Sequence, residues 1–463
     1  MSKKALGILL DLESQESCGS PSFMSHTPSK DPQPTSGDDD GGDVGMIPLE
    51  EWLPITESRK GNVFTATFHL LCSGLGFQVL LLPAAFAALG WVWGIIILTV
   101  GFAWKLYTTW LLVHLHEAVH GTRFSRYLRL AIASFGVKLG KLLGIFPVMY
   151  LSGGACSILV ITGGKTIKQL VHIMSEDDTV PLTTLQFSNL NSLLDSLIGG
   201  VMAVAYSTAV WSLPLTRDPQ SQNNVTYAIK DTSFDNIFNA IGLIAISLRG
   251  NNLILEIQGT LPSDSKNPSS KTMWRAVVIS HLIIAVCMFL VSIVVYWAYG
   301  DEIPATGGPI GNYLTLYEQD YSKRAACFIH ITFIFNCLCS YPINLMPACD
   351  NAEMVYVTKR QKPCSVFVRM MLRVSLGLVC FFIAVGFSFL PYLAVLIGAV
   401  ALLVTFTYPC FMWISIKQPE MKSLMWLINV FVGSLGASLS VLLVVASALF
   451  LAEKGLHANF FRP

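Results

Sequence analysis

The sequence predicts an all-α polytopic membrane protein with about ten transmembrane helices. Three observations support this: an apolar composition, a series of long apolar segments, and no strand-like alternation of polar and apolar residues. Of the 463 residues, 53% are hydrophobic and only 13% are charged, whereas about 25% of the residues of a soluble domain are charged. Lipid offers no partner for backbone groups, so a membrane-spanning chain without barrel-type alternation must form helices.

Ten segments have the length of about 20 mostly apolar residues that a helix needs to cross a bilayer. They are residues 64–89, 91–114, 142–162, 193–213, 237–257, 276–299, 327–346, 366–387, 391–416 and 425–451. Residues 1–50 are rich in Ser, Pro, Asp and Gly and lack the apolar stretch of a signal peptide. We therefore expect a disordered tail at 1–50 and a transmembrane domain at 51–463.

The linkers between the segments differ in charge. Lys and Arg cluster in 123–141, 266–275 and 359–369, whereas 300–321 contains four acidic residues and no Lys or Arg. Basic linkers stay in the cytoplasm, so these three, together with the N-terminus, are predicted to be cytoplasmic. The net charge of +1 gives no field that would favour nucleic acid.

The number of crossings does not agree with this orientation. Between the basic linkers 123–141 and 266–275 the chain must cross an even number of times, yet only three segments lie there. Residues 165–192 are too polar for an ordinary span, and the glycosylation sequon at Asn224 favours a crossing by 237–257. Either one of the three segments does not cross or a helix is missing, and the doubtful region is 165–213.

The first interrupted segment is 64–89, where Ser73, Gly74, Gly76 and Gln78 occur close to mid-membrane. Two glycines beside a serine weaken a helix, and unwound backbone at this depth is tolerated only where it lines a cavity. Close packing of helices through small residues explains the same pattern equally well.

The second interrupted segment is 237–257, which contains Ser247, Arg249, Gly250 and Asn251 near its centre. A charged residue at this depth costs at least about 2.5 kcal/mol. The alternative to a functional site is an internal ion pair of Arg249 with Glu256 or Asp195. Two interrupted helices, one in each half of a chain, indicate the midplane binding site of a secondary transporter.

Other polar features have simpler readings. Asp350 and Glu353 follow the segment 327–346 near basic residues, which predicts a solvated gate or surface pair. No nucleotide-binding loop and no nucleophile–base arrangement is found, so an ATP-driven pump and an enzyme are disfavoured, and no cofactor or metal is expected.

Several short motifs resemble the plant lysine/histidine transporter-like branch of the amino acid/auxin permease family. They are found at 47–56 (IPLEEWLPIT), 82–83 (LP), 89–91 (LGW), 162–165 (TGGK), 255–258 (LEIQ), 273–275 (MWR) and 296–300 (YWAYG). The resemblance covers about 47–451. It implies eleven helices in the five-plus-five inverted repeat of the leucine transporter, and proton-coupled uptake of amino acids at the plasma membrane. It also implies that the substrate's amino and carboxyl groups are held at the two helix breaks.

The chain departs from this family in three places. The resemblance implies that the family's fourth helix is deleted after residue 186. Asn251 stands where relatives usually have His, and the first break differs from the usual Gly-Ala-Gly form. We expect an amino acid substrate at Ser73, Gly74, Gly76, Gln78, Ser247, Arg249, Gly250 and Asn251. The alternative is a transport-inactive sensor, or a truncated variant lacking one helix.

Overall fold

The computed structural model describes residues 53, 59–119, 122–174, 192–217, 225–229, 234–264, 266–303, 320–360, 362–386 and 394–454. The predicted tail, the sequon at Asn224 and most of 165–192 lie outside these residues. The α-helices, numbered in chain order, are α1 Val63–Gly74, α2 Leu82–Leu115, α3 Tyr127–Phe135, α4 Val137–Met174, α5 Ser192–Ser212, α6 Phe234–Ser247, α7 Ile254–Gly259, α8 Ser269–Tyr299, α9 Lys323–Arg360, α10 Val366–Gly386, α11 Ala394–Leu402, α12 Tyr408–Lys417 and α13 Leu424–Lys454. Two 3-10 turns, Phe77–Leu81 and Asn251–Leu253, and the π-helical turn Leu403–Thr407 lie within spans.

In the described part of the chain, nine helical stretches are long and apolar enough to cross a membrane. The first of them, Val63–Leu115, contains two of the predicted spans, because Gly90 at its centre has φ 73° and ψ 178°. The positive φ suits glycine and ends one helix before the next begins. All ten predicted segments therefore correspond to helices.

The two spans on either side of Gly90 run antiparallel. The backbone oxygen of Gln78 accepts a hydrogen bond from Ser247 at 2.7 Å, and a Cβ on Gly101 would lie 2.7 Å from the side chain of Leu248. Gln78 and Gly101, which lie on opposite sides of Gly90, thus contact neighbouring residues at the end of α6, beside its interruption. This places the first break, the second break and the middle of α2 together.

The start of α1 is attached to the end of α7. Asn62 caps α1, its side chain accepting a hydrogen bond from the Thr65 backbone N–H at 2.9 Å. One residue earlier, the N–H of Gly61 donates to the Thr260 oxygen at 3.0 Å. The two interrupted spans therefore meet at the predicted cytoplasmic face as well as at their breaks.

α4 and α5 run in the same direction, although they are consecutive in the chain. Gly163 of α4 faces Cys337 of α9, and Gly199 of α5 faces Cys339 of the same helix, and both helices run antiparallel to α9. The end of α4 and the start of α5 consequently lie about 25–30 Å apart along the bundle, at 1.5 Å per residue. All three segments between the basic linkers 123–141 and 266–275 are helices of membrane length, so none of the three is too short to cross.

One prediction about the predicted cytoplasmic end of α9 was wrong. The side chains of Asp350 and Glu353 are only 3% and 1% exposed and do not form a solvated pair. Asp350 is bonded to the buried Arg126, and Glu353 contacts Arg369 at 3.1 Å. The segment that leads into α3 supplies Arg126 and covers this end of α9, a tertiary contact that distance from the end of a span does not reveal.

Candidate functional site

The first break lies between α1 and the 3-10 turn at Phe77. Leu75 has φ −113° and ψ 65°, and Gly76 is extended with φ −107° and ψ −155°. Two residues thus leave the helical path in the middle of a span, where the regular pattern of backbone hydrogen bonds is lost.

Side chains provide hydrogen bonds to the carbonyl groups around this break. The Gln78 amide donates to the Ser73 oxygen at 2.9 Å, the Tyr206 hydroxyl to the Gly76 oxygen at 2.5 Å, and the Ser247 hydroxyl to the Gln78 oxygen at 2.7 Å. Since lipid offers no partner for such groups, these bonds hold the unwound segment in one conformation.

Gln78 also carries an acceptor that faces the break. Its side chain is fully buried, and its Oε1 has no hydrogen-bond partner among the described residues. This oxygen lies 2.8 Å from the position that a Cβ on Gly76 would take, so a larger residue there would have to displace the Gln78 side chain. A buried amide oxygen without a partner is unfavourable unless something else donates to it. Gly74, by contrast, packs closely against Ile284 of α8.

The second break lies between α6 and the 3-10 turn at Asn251. Gly250 has φ 120° and ψ −4°, a backbone conformation that suits only glycine. A Cβ at Gly250 would meet no atom within 4 Å, whereas Cβ atoms at Gly74 and Gly76 would meet neighbours within 3 Å. The second break thus has open space beside its backbone.

Arg249 places a cation at this break. Its side chain is 5% exposed, Nη1 donates to Asn344 Oδ1 of α9 at 3.0 Å, and the guanidinium lies 5.3 Å from the centre of the Phe77 ring. Its Nε has no hydrogen-bond partner among the described residues. Arg249 makes no ion pair with Glu256, so that half of the alternative was wrong. The pairing with Asp195 stays a prediction, because that side chain lies outside the described residues.

A second buried cation, Lys105 of α2, was not predicted from the sequence. Its side chain is 4% exposed, and Nζ donates to the Arg249 backbone oxygen at 3.2 Å. The available signal was its position: a lysine in the middle of the apolar span 91–114, where charge is expensive. Two buried positive charges thus meet at one break, and no described carboxylate pairs with either.

The Asn251 side chain bonds to α2 and to the π-helical turn. Its amide nitrogen donates to Thr108 Oγ1 and to the Thr405 oxygen, both at 3.1 Å, and its amide oxygen accepts from Thr109 at 3.2 Å. The side chain therefore joins the second break to α2 and to the π-helical turn. Of the predicted residues, six lie around the two breaks: Ser73, Gly76, Gln78, Ser247, Arg249 and Gly250. Beside them, Gly74 packs against α8, and Asn251 hydrogen-bonds to α2 and the π-helical turn.

The comparisons with known proteins agree with this arrangement. Residues 59–450 match the family described as "Transmembrane amino acid transporter protein". The chain belongs to this family. It is 74% identical to "Lysine histidine transporter-like 7" of Arabidopsis thaliana over 99% of both chains, and 42% identical to "Lysine histidine transporter-like 8" of the same plant, over 90% of this chain and 84% of that one. The predicted resemblance to the lysine/histidine transporter-like branch is confirmed.

Two further findings concern the length of the chain and its fold. The alignment with the 74% identical relative extends over 475 positions, whereas this chain has 463 residues, so at least 12 positions are gaps in this chain. Among solved structures, a Na⁺-coupled sialic acid symporter in a substrate-bound, outward-open state matches with a TM-score of 0.53 and 11% identity. The match covers 89% of this chain and 94% of that one. At this identity the likeness concerns the fold alone, and it confirms the predicted inverted-repeat, leucine-transporter-like architecture.

Proposed function

We propose that the chain is a secondary active transporter that binds one amino acid between its two helix breaks. The observation that carries the proposal is the buried Arg249, a permanent cation with no carboxylate partner among the described residues, beside open space at Gly250. Burying an ion without a counter-ion is strongly unfavourable. An amino acid supplies the missing carboxylate, and the guanidinium fork can bind it through two hydrogen bonds.

The ammonium group of the substrate requires acceptors, and the first break offers them. The last carbonyl groups of α1 give its end at Gly74 a partial negative charge. Gln78 Oε1 is a buried acceptor without a partner in the structure. An amino acid between the breaks thus has its ammonium on the Gln78 side and its carboxylate on the Arg249 side, while its side chain enters the space beside Gly250.

The driving force in this proposal is a proton gradient, and the membrane is the plasma membrane with the N-terminus in the cytoplasm. The resemblance of the motifs to proton-coupled permeases supports the first two assignments. The Lys and Arg clusters in the linkers 123–141, 266–275 and 359–369 support the orientation.

Uptake into yeast cells that lack their own amino acid permeases tests the proposal. We expect uptake of at least one labelled amino acid, and faster uptake at an external pH of about 5.5 than at about 7.5. Surface labelling of a tagged chain shows whether it reaches the plasma membrane. Surface-exposed protein without uptake of any of the twenty amino acids contradicts transport.

A transport-inactive sensor is the second candidate, and the parallel course of α4 and α5 favours it. In the inverted repeat one helix is expected between them, and here only 175–191 joins ends that lie at opposite depths. A sensor keeps the binding site but does not complete a transport cycle. Thermal stabilisation of the purified protein by an amino acid, together with no uptake and no exchange, would identify it.

A further inference from the structure

We propose that Lys105 binds the coupling proton, and that the carboxylate of the substrate controls whether it does. The inference rests on the proposed function, since it names the residue that links the substrate to the proton. It follows from the position of Lys105 beside Arg249, where no carboxylate among the described residues pairs with either side chain.

The amino group of Lys105 lies at the second break itself. Its Nζ is 3.2 Å from the Arg249 backbone oxygen, and the side chain is almost fully buried. A neutral amine still donates through N–H, so this hydrogen bond survives the loss of the proton. Lys105 can therefore change its charge without losing its place.

The groups that face Lys105 from neighbouring elements are basic or neutral. The second break contributes Arg249, whose backbone oxygen accepts the hydrogen bond from Lys105 at 3.2 Å. From α8 comes His281, whose Nε2 has no hydrogen-bond partner among the described residues. The π-helical turn contains no titratable residue, and the charges acting on Glu256 of α7 are those of Asp350 and Arg126.

Of the two cations, only Lys105 can release its proton, because a guanidinium does not deprotonate in proteins. With the site empty, protonated Lys105 is a buried cation beside the Arg249 backbone, with no described carboxylate paired to it, and burial of an unpaired charge favours the neutral amine. When a carboxylate arrives beside Arg249, it balances one charge and favours protonated Lys105. One proton from the outer solution then joins the lone pair of Nζ, and it leaves for the cytoplasm when the substrate leaves.

This coupling is reciprocal: a substrate that raises proton binding must itself bind more tightly when the proton is present. For one linked proton, the Kd rises by up to tenfold per pH unit in the range where Lys105 titrates in the empty site. In the same pH range we expect the wild-type protein to take up close to one proton from solution for each amino acid bound.

The test uses the purified full chain. The ligand is the amino acid with an uncharged side chain that the wild type takes up fastest, because such a side chain does not titrate. We expect Lys105→Arg to bind with a pH-independent Kd, at least tenfold tighter than the wild type at about pH 8.5. We expect Lys105→Met to bind at least tenfold more weakly than the wild type at about pH 5.5, again with no pH dependence. In liposomes both variants keep substrate exchange but lose acceleration by a proton gradient.

Lys168→Met is the matched control, since Lys168 is an exposed lysine on α4, and we expect it to behave as the wild type. A Lys105 variant that exchanges substrate and keeps the wild-type pH dependence overturns the inference. Should both variants fail to fold, proton uptake by the wild type in weak buffer decides: no uptake on substrate binding also overturns it. Failure of the proposed function looks different, because the wild type then shows neither uptake nor exchange.

Discussion

Replacing Arg249 with methionine is expected to weaken transport without weakening the fold. In most proteins, loss of a buried arginine that bonds to its neighbours is destabilising, because a partner is left unpaired. Among the described residues, Arg249 hydrogen-bonds to one side chain, the neutral Asn344 at 3.0 Å, and its guanidinium lies over the Phe77 ring. Loss of the hydrogen bond costs about 1 kcal/mol, whereas removing a buried charge relieves a desolvation penalty of several kcal/mol.

The effect on transport has the opposite sign. Hydrogen bonds to charged groups contribute about 1.5–3 kcal/mol each, so loss of one such bond to the substrate carboxylate lowers kcat/KM about 10- to 150-fold. The assay pairs initial uptake rates in yeast with the thermal unfolding midpoint of the purified variant. Arg324→Met is the control, because Arg324 is exposed at the start of α9 and should change neither quantity.

Two results would refute this reasoning about Arg249. Transport within threefold of the wild-type kcat/KM would show that the guanidinium does not bind the substrate. A large fall in the unfolding midpoint of Arg249→Met would show that Arg249 stabilises the fold, and lost uptake would then say nothing about binding.

Four further predictions concern the breaks and the predicted cytoplasmic face. Tyr206→Phe leaves the Gly76 oxygen without its hydroxyl partner and should lower stability by about 1–3 kcal/mol, seen as a lower unfolding midpoint; an unchanged midpoint would mean that another group takes over. Gly250→Ala has room for its methyl group but not the backbone conformation, since φ is 120°, so stability should fall by about 1–2 kcal/mol; a neutral effect would show that the break relaxes. Asp350→Asn removes the carboxylate of the buried Arg126–Asp350 ion pair and should be destabilising; surface expression at the wild-type level would contradict this. Burial, assisted by nearby arginines, lowers the pKa of His116 well below its usual 6.5. Below about pH 6.5 the unfolded chain therefore binds a proton that the folded chain does not, and stability falls as the pH falls. His116→Gln should flatten that dependence, and an identical pH profile would exclude His116 as its source.

The two breaks were predictable because their signals are local. Glycine, polar side chains and a charge at mid-span identify an interruption within a few residues of the sequence, and Gly76 and Gly250 lie where it occurs. Tyr206 was not predictable as a contact of the first break, and neither was the partner of Ser247. Tyr206 donates to the Gly76 oxygen, and Ser247, predicted at the second break, donates to the Gln78 oxygen at the first. Both contacts join residues more than a hundred positions apart and depend on the packing of α5 and α6.

Lys105 and Asp350 show two other reasons why the sequence did not predict the whole site and fold. Lys105 lies in a span that was read as an uninterrupted helix, so a search for helix breaks passed over it, although a charge at that depth was itself a signal. Asp350 was predicted to be solvated from its distance to the end of a span. Its burial depends on the chain before α3 folding back over α9, which no periodicity in the sequence encodes.

The central claim is that Arg249 binds the carboxylate of an amino acid, and competition by the matching carboxamide tests it most directly. The carboxamide of the transported amino acid has nearly the same size but no negative charge. In the wild type, the amino acid should inhibit uptake of its labelled form at least tenfold more strongly than its carboxamide does. In Arg249→Met this preference should fall to within about threefold, because the charge that distinguishes the two ligands is gone. An undiminished preference for the carboxylate in Arg249→Met would contradict the account.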